Sequence, residues 1–436
     1  MDFWFLILTG FRRIYVTGID KYRIIKYNPV NFYISVLARR CIKADYRRQS
    51  CNFNPLQRNK EDGQMQKRFH TPEGVRDIYN DECRQKLKLQ EKLHRVFRKY
   101  GYEDIITPTF EYFEIFSREV GTIPSRDLYK FFDREGNTLV LRPDITPSVS
   151  RACATYFSPD KEPLSLCYTG NTFINTSGYR GQLKENTQMG VERIGDGSAD
   201  ADAELLAMTA ECLIAAGLTE FQISIGQVDY FNSLLKEAEL DEEAQERLRT
   251  LISQRNPFGV EEFVEEQKLS PEIAGAFIEI PQMFGSVEIL KKARTLTDNP
   301  SALEAVSRLE EIYEILKLYG YEKYVTFDFS MLSKYEYYTG IIFQAYTYGT
   351  GEPLVKGGRY DKLLKHFGKD APSIGFAIVV DSLLLALSRQ KIVLDESEAC
   401  EILYYTPEQR TEAVKKAQSL RSQGKSVALR LKKGGA

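Results

Sequence analysis

Apolar residues near residue 90 recur with the spacing of an amphipathic helix. They stand at i, i+4, i+7, i+8 and i+11, a pattern that places side chains on one helical face: Leu89, Leu93, Val96, Phe97 and Tyr100. Gly101 follows them and is typical of the residue after a helix end. The pattern therefore predicts a helix that ends at Gly101, and a second helix is predicted over residues 200–216.

Several other stretches have the composition and alternation of β-strands. Residues 102–116 predict a strand interrupted by Pro108, which suits a sheet edge. Strands are predicted on both sides of the turn at Gly136–Asn137, and a helix after Thr146–Pro147. The stretch "LSLCYTGNTFINTSGYRGQLKENTQMGVERIG" predicts two strands around a long polar loop. Four shorter segments also predict strands: "FQISIG", "YVTFDFS", "GIIFQAYTYG" and "GEPLVKGGRYD".

The order of these elements predicts the fold class. Residues 230–320 have a helical pattern and form a predicted insertion, and "SIGFAIVVDSLLLALS" (373–388) is also predicted to be helical. The tail at 398–436 predicts a strand–helix–strand segment, shorter than the ~50 residues of an independent domain. Because hairpins rather than crossovers join the strands, we expect an α+β fold around a mainly antiparallel sheet.

The first 64 residues differ from the rest of the chain. They carry twelve Lys and Arg against five Asp and Glu, with no sustained hydrophobic period. A basic arm that binds a partner is one interpretation, and upstream sequence absent from the natural protein is the favoured one. We therefore predict a core at 65–388 and the short C-terminal segment at 398–436.

Composition limits the classes of function. The 436 residues have a formal net charge of −2, so no global positive field attracts nucleic acid. Seven cysteines form no C-x-x-C pair, which indicates free thiols in a reducing, cytoplasmic compartment. No apolar run reaches the ~18 residues of a membrane helix. Phosphate-loop, dinucleotide and G-x-S-x-G motifs are absent, and the three histidines are not spaced for a metal site, so no cofactor is predicted.

Two stretches carry polar residues suited to a small ligand. "LRPDIT" has Arg142, Asp144 and Thr146 at alternating positions, which a strand would place on one face. "QMGVERIG" has Gln188 and Glu192, with a glycine between them that leaves room for a ligand.

A third stretch, "EYYTG", supplies Thr339 and two aromatic walls, Tyr337 and Tyr338. The carboxylates of Asp144 and Glu192 suit an ammonium group and a ring N–H respectively, while an amide such as that of Gln188 donates to a carboxylate. Together the three stretches predict a site for an amino acid with a basic ring.

From about Phe69 to Leu387 the chain resembles the catalytic core of histidyl-tRNA synthetase, a class II synthetase. "TPEGVRDIY" resembles the amino-terminal signature of that family, "LRPDIT" its LRPEGT segment and "TQMGVERIG" the end of its motif 2. "YEYYTG" is similar to the RGLDYYTG signature, and "KGGRYDKLL" with "SIGFAI" is similar to the run into motif 3. The resemblance implies an antiparallel class II sheet, a helical insertion and a dimer.

The resemblance also implies roles for individual residues. Asp144 and Thr146 match the positions that hold the α-amino group of histidine, and Gln188 matches a contact to its carboxylate. Glu192 and Tyr338 match the positions that face the imidazole ring.

Four departures from the synthetase pattern change the expected function. Ile174 and Thr176 replace the arginine and glutamate of motif 2, Ser333 replaces the catalytic arginine of the histidine signature, and Ser382 replaces the arginine of motif 3. Lys334 is one position out of register and does not reproduce a guanidinium fork. A chain that keeps the histidine pocket without these arginines resembles the regulatory subunit of ATP phosphoribosyltransferase.

That second resemblance implies partners and a role. It implies a non-catalytic homodimer within a hetero-oligomer that contains the short catalytic subunit, and histidine as a feedback effector of phosphoribosyl-ATP formation. Neither tRNA nor a membrane is an expected partner. The alternative is an active histidyl-tRNA synthetase with shifted cations, such as Arg180 or Lys184. A paralogue adapted to another amino acid or to translational control is a third interpretation.

Overall fold

The computed structural model describes residues 70–116, 123–158, 162–176, 183–332, 338–394 and 400–432. Within these ranges the helices are α1 (Asn80–Lys99), α2 (Thr146–Tyr156), α3 (Ala199–Ala215), α4 (Val228–Glu237), α5 (Glu242–Ser253), α6 (Pro257–Glu266), α7 (Pro271–Glu279), α8 (Glu288–Thr295), α9 (Pro300–Tyr319), α10 (Val380–Arg389) and α11 (Arg410–Ser422). Residues 1–64 lie outside the described residues.

The same ranges contain fourteen strands. They are β1 (Glu103–Asp104), β2 (Phe110–Tyr112), β3 (Lys130–Phe132), β4 (Thr138–Leu141), β5 (Leu164–Phe173), β6 (Glu185–Ile194), β7 (Gln222–Gln227), β8 (Phe284–Gly285), β9 (Val325–Asp328), β10 (Ile341–Tyr346), β11 (Val355–Arg359), β12 (Ser373–Val379), β13 (Glu401–Tyr405) and β14 (Val427–Leu431).

A nine-stranded sheet forms the centre of the molecule, in the order β1-β5-β6-β12-β11-β10-β7-β9-β8. The β1–β5 and β7–β9 pairs are parallel and the other six pairs are antiparallel. A separate three-stranded sheet has the order β2-β4-β3. The predicted α+β fold around a mainly antiparallel sheet is therefore confirmed.

Helices α1, α3 and α10 cover one face of the central sheet at β6 and β12. Four of the five periodic residues of α1 are buried in the main core: Leu89, Leu93, Val96 and Phe97. Phe97 meets Phe376 of β12 edge-on, with ring centroids 6.1 Å apart. Burying each such side chain stabilises the fold by about 1.5–3 kcal/mol. The helix ends as predicted, with Gly101 at a φ of +80°.

Helices α4 to α9 follow one another in the region where a helical insertion was predicted, about residues 230–320. Apolar side chains of these helices join the main core, and Phe231 packs edge-on against Phe277 at 5.8 Å. The two-residue strand β8 interrupts the helices and pairs with β9.

Two predicted elements were wrong in kind or extent. Residues 102–116 form β1 and β2, which belong to different sheets, instead of one interrupted strand. Residues 373–388 divide into strand β12 and helix α10 instead of one helix. An apolar run that is buried on both faces has no distinguishing period, so the sequence could not separate a central strand from a buried helix.

The C-terminal segment has the predicted strand–helix–strand order. Strands β13 and β14 pair in parallel, from Glu401 opposite Val427 to Tyr405 opposite Leu431, and α11 packs on them. The described residues from Thr71 onward belong to one compact unit, and the predicted boundaries at 65, 388 and 398 stay predictions. Among the described residues, the helices are too short or too polar to cross a membrane.

Candidate functional site

A cleft of about 820 Å³ lies over strands β6, β10, β11 and β12. Five of the six residues predicted to bind histidine line it: Asp144, Thr146, Gln188, Glu192 and Tyr338. The sixth, Tyr337, lies outside the described residues. The structure therefore brings together polar side chains from three separated stretches of sequence.

Glu192 lies at the floor of the cleft with 1% of its surface exposed. The hydroxyl of Thr146 donates to its Oε1 at 2.6 Å, and the hydroxyl of Tyr360 donates to its Oε2. Gly375 stands opposite Glu192 in the ladder between β6 and β12. A Cβ at Gly375 would overlap Oε2, so the carboxylate occupies space that only glycine leaves open.

Burial raises the pKa of Glu192 to about 8, and the nearby carboxylate of Asp144 adds to this shift. Hydrogen bonds from Thr146 and Tyr360 oppose the shift without cancelling it. Burial also raises the pKa of Asp144, although the backbone N–H of Ile145 donates to its Oδ1 at 2.8 Å. Two acidic groups whose pKa values are raised in the free cleft are suited to a cationic ligand, which would stabilise their ionised form.

The raised pKa of Glu192 gives a testable dependence of stability on pH. Between about pH 4.5 and pH 8 the folded state holds a proton on Glu192 that the unfolded state has released. The free energy of unfolding should therefore fall as pH rises through this window, by up to about 1.4 kcal/mol per pH unit from this group. Glu192→Gln removes this contribution, so the variant should gain stability relative to the original chain as pH rises.

Chemical unfolding of both proteins at pH 5.5 and pH 8 measures this difference. Other titrating groups are common to both proteins and cancel in the comparison. A stability difference that is the same at both pH values would contradict a proton held on Glu192.

Gln188 lies on the same face of β6 as Glu192, as the strand period predicts. Among the described residues, its buried Oε1 has no hydrogen-bond partner. The expected ligand space over Gly190 was wrong, because the phenol of Tyr168 occupies it from the paired strand β5. The ligand space lies between Gln188, Glu192 and the residues of β11 and β12.

Arg142 does not face the cleft, and the predicted alternation with Asp144 and Thr146 was wrong. Strand β4 ends at Leu141, and Thr146 already begins helix α2. The guanidinium of Arg142 is buried and donates to the backbone oxygens of Asn171 and Thr107, both at 2.8 Å. Arg142 therefore links separate chain segments by hydrogen bonds, and of the three predicted residues only Asp144 and Thr146 line the cleft.

Tyr338 is half-buried, and its ring lies over Gly358 at the side of the cleft. Thr339 has a structural role instead, because its hydroxyl accepts the backbone N–H of Asp361 at 2.9 Å. The stretch "EYYTG" thus contributes at least one aromatic wall.

Three of the four positions at which the sequence predicts the loss of a synthetase residue also line the cleft: Ile174, Thr176 and Ser382. The fourth, Ser333, and the alternative cation Arg180 lie outside the described residues. Lys184, the other alternative cation, packs its methylene groups over Gly74.

Among the described residues that line the cleft, the cations are Arg76 and Lys356. Arg76 donates to both carboxylate oxygens of Glu82 and is half exposed. Lys356 is exposed and lowers the pKa of Asp144 slightly against the effect of burial. The cleft is therefore acidic at its floor and has few cations at its rim.

Sequence reasoning did not assign a role to Tyr360 or Gly375. They lie in "GGRYD" and "SIGF", far along the chain from Glu192. A glycine within a buried strand often marks a close approach by another group, and this was the available signal.

Comparisons with known proteins give consistent results. A family model described as histidyl-tRNA synthetase matches residues 74–383. A protein of Acetivibrio thermocellus named ATP phosphoribosyltransferase regulatory subunit is 38% identical, over 84% of this chain and 88% of that protein. A protein of the same name from Thermoanaerobacter pseudethanolicus is 38% identical, over 83% of this chain and 94% of that protein.

Solved structures show the same similarity. A Bacillus halodurans protein described as an ATP phosphoribosyltransferase regulatory subunit/histidyl-tRNA synthetase has a TM-score of 0.76 and 34% identity, covering 84% of this chain and 94% of that one. The histidyl-tRNA synthetase of Nostoc sp. PCC 7120 has a TM-score of 0.71 at 22% identity, covering 84% of this chain and 87% of that one. The second similarity shows a shared fold.

Proposed function

Because this chain belongs to the family of ATP phosphoribosyltransferase regulatory subunits, with the histidyl-tRNA synthetase fold, we propose that it is a non-catalytic, histidine-responsive regulatory subunit. Its partner would be a short ATP phosphoribosyltransferase catalytic subunit, which it activates. A homodimer within a cytoplasmic hetero-oligomer is the assembly that we propose, without tRNA or a membrane.

One observation supports the proposal: the cleft brings the residues expected to bind histidine together with three of the positions at which the resemblance predicts the loss of a synthetase residue. Asp144, Thr146 and Glu192 line the cleft, and so do Ile174, Thr176 and Ser382, which stand where the resemblance expects residues that handle ATP and the reacting carboxylate. Loss of one preorganised donor to developing charge typically lowers a rate by about 10²–10³. A cleft of this kind supports binding of an amino acid without its activation.

The proposed arrangement of histidine follows from the chemistry of the lining residues. Its α-ammonium group would lie against Asp144 and Thr146, and the amide of Gln188 would donate to its carboxylate. Its ring would pack against Tyr338 and donate an N–H to Glu192. Two hydroxyls already hold the Glu192 carboxylate in one position, so little side-chain order would be lost on binding.

Regulation requires that histidine distinguish two states of the complex. A ligand shifts an equilibrium only by the difference between its affinities for the two states. We infer that the inhibited state of the complex binds histidine more tightly than the active state. Saturating histidine should then shift the equilibrium toward the inhibited state by the ratio of the two affinities.

Two assays test the proposal. The purified chain should exchange pyrophosphate into ATP in the presence of histidine at a rate at least about 100-fold below that of a histidyl-tRNA synthetase assayed in parallel. Added to a short catalytic subunit, it should raise the formation of phosphoribosyl-ATP, and histidine should reverse that gain. Failure to activate any short catalytic subunit would contradict the regulatory role.

One observation favours the alternative of an active histidyl-tRNA synthetase. Arg76 lines the cleft, and its ion pair with Glu82 is half exposed and therefore weak. If Arg76 replaced a missing cation, exchange would be measurable and Arg76→Ala would abolish it. If the original chain does not exchange pyrophosphate into ATP, the result contradicts the synthetase alternative and agrees with the regulatory proposal.

A further inference from the structure

A histidine, an aspartate and a cysteine meet at the edge of the central sheet. They are His94 on α1, Asp104 in β1 and Cys167 in β5, and their side-chain donor atoms all lie within 4.8 Å of one another. The parallel pairing of β1 with β5 places Asp104 opposite Cys167. His94 and Asp104 are 10 residues apart, and Cys167 is 63 residues from Asp104, so no short motif indicates the cluster.

The cluster lies on the helix-covered face of the sheet, apart from the cleft. Cys167 packs in the main core with the residues of α1, whereas its neighbours Leu166 and Tyr168 point to a different apolar cluster. The Cys167 side chain is fully buried, while His94 and Asp104 are about half exposed. A buried sulfur thus adjoins two ligating groups that solvent can reach.

One of the two short distances in the cluster matches a tetrahedral zinc site, and the other is that of a hydrogen bond. Zn–S and Zn–O bonds of about 2.3 and 2.0 Å place sulfur and oxygen about 3.5 Å apart. Cys167 Sγ lies 3.5 Å from Asp104 Oδ1. His94 Nε2 lies 2.6 Å from the same oxygen, whereas a shared zinc ion requires about 3.3 Å.

The required opening is about 0.7 Å, and it involves two side chains that are about half exposed. His94 lies near the exposed end of a helix, and Asp104 belongs to a two-residue strand at the sheet edge. Arg98 is the nearest competing cation, with Nη1 3.9 Å from Asp104 Oδ2. The same Nη1 donates to the backbone oxygen of Tyr102 at 3.0 Å, which leaves Asp104 Oδ1 to the cluster.

We propose that His94, Asp104 and Cys167 bind one Zn²⁺ ion, with a water molecule in the fourth position. Binding replaces the thiol proton of Cys167 by the metal and releases that proton to solvent. The imidazole supplies the lone pair of Nε2 and carries its proton on Nδ1. The donor set of nitrogen, oxygen and sulfur is one that zinc accepts and that magnesium and calcium do not.

In the free protein the sulfur remains a thiol. Burial and the adjacent Asp104 raise the pKa of Cys167 to about 12. A divalent ion reverses this preference, because a coordinated thiol is deprotonated. Zinc binding should therefore release a proton and strengthen as pH rises.

The test uses the reduced, metal-free full-length chain with Zn²⁺ and with Co²⁺ as a spectroscopic probe. One equivalent of Co²⁺ should produce a cobalt–thiolate charge-transfer band, and Zn²⁺ should displace it. Cys167→Ser should abolish the band, and His94→Gln should weaken Zn²⁺ binding by at least about 100-fold. Cys153→Ser and His366→Gln, a buried thiol and a histidine outside the cluster, are the matched controls and should retain both signals.

Two results would overturn the proposal. One is a chain that shows no cobalt–thiolate band. The other is a band and a zinc affinity that survive in both Cys167→Ser and His94→Gln, which would indicate an adventitious ion only. Because His94 is partly exposed, His94→Gln should fold normally. This variant therefore still tests the proposal if Cys167→Ser does not fold.

Discussion

Replacing Glu192 by glutamine should weaken histidine binding by about 30-fold or more and should relieve histidine inhibition of the assembled enzyme. Glutamine has the shape of glutamate: its amide oxygen can accept one of the hydroxyls of Thr146 and Tyr360, and its NH2 group can donate to the oxygen of the other. It cannot carry the negative charge that would pair with the ring N–H of the ligand. Loss of one partner of a buried, charged hydrogen bond costs about 2–5 kcal/mol, which corresponds to this loss of affinity.

Calorimetric titration of the isolated chain with histidine measures the affinity, and inhibition of the activated catalytic subunit measures the regulatory effect. Glu185→Gln is the matched control, because it changes the charge on the same strand outside the large cleft. The difference in histidine affinity between the original chain and Glu192→Gln should increase toward pH 8, because the carboxyl of Glu192 ionises there and glutamine does not. Inhibition that is unchanged in Glu192→Gln would move the histidine sensor away from this cleft, for example to a subunit interface.

The local parts of this site could be predicted from sequence. Gln188 and Glu192 share a face because β6 is a regular strand, and a period of two needs no tertiary information. Helix α1 was predictable for the same reason, since one of its faces packs on the sheet and the other meets solvent. Where a helix or strand has one buried face and one exposed face, its apolar residues recur with the period of that element and predict it.

The parts that depend on distant contacts could not be predicted. Arg142 was misplaced because Pro143 follows it and the chain leaves β4 at this point. Its partners, the backbone oxygens of Thr107 and Asn171, are 35 and 29 residues away. Backbone oxygens exist at every residue, so no side-chain pattern could identify them.

The setting of Glu192 shows the same limit. Tyr360, which donates to it, is 168 residues away along the chain. Gly375 is brought opposite it by the register of β6 with β12, a strand within the run that was predicted to be helical. Because β12 was predicted to be helical, the sequence could not indicate that Gly375 lies opposite Glu192 and leaves space for its carboxylate.

Replacing Asp202 by alanine should lower the free energy of unfolding by about 3–5 kcal/mol, because it removes the buried carboxylate that pairs with Arg359 and leaves Arg359, among the described residues, only Asp361, an ion-pair partner that is about one-third exposed. Asp202 is 1% exposed and Arg359 is 5% exposed. Arg359 Nε donates to Asp202 Oδ1 at 3.0 Å, and Arg308 Nε donates to Oδ2 at 2.9 Å. The carboxylate thus joins α3 to the end of β11 and to α9 of the helical insertion.

Asp200→Ala is the matched control for this change. Both aspartates lie in the first turn of α3, where the interaction of each carboxylate with the helix dipole should stabilise the helix by at most about 1 kcal/mol. Asp200, however, is exposed. Chemical unfolding should show a much larger loss of stability for Asp202→Ala than for Asp200→Ala, and equal losses would mean that the buried ion pairs do not stabilise the fold.

Since Arg359 directly precedes Tyr360, whose hydroxyl donates to Glu192, Asp202→Ala should also bind histidine more weakly under conditions in which the variant stays folded. An unchanged affinity there would show that the register of β11 with β12 alone positions Tyr360, because its backbone N–H also donates to Ser373 at 2.7 Å.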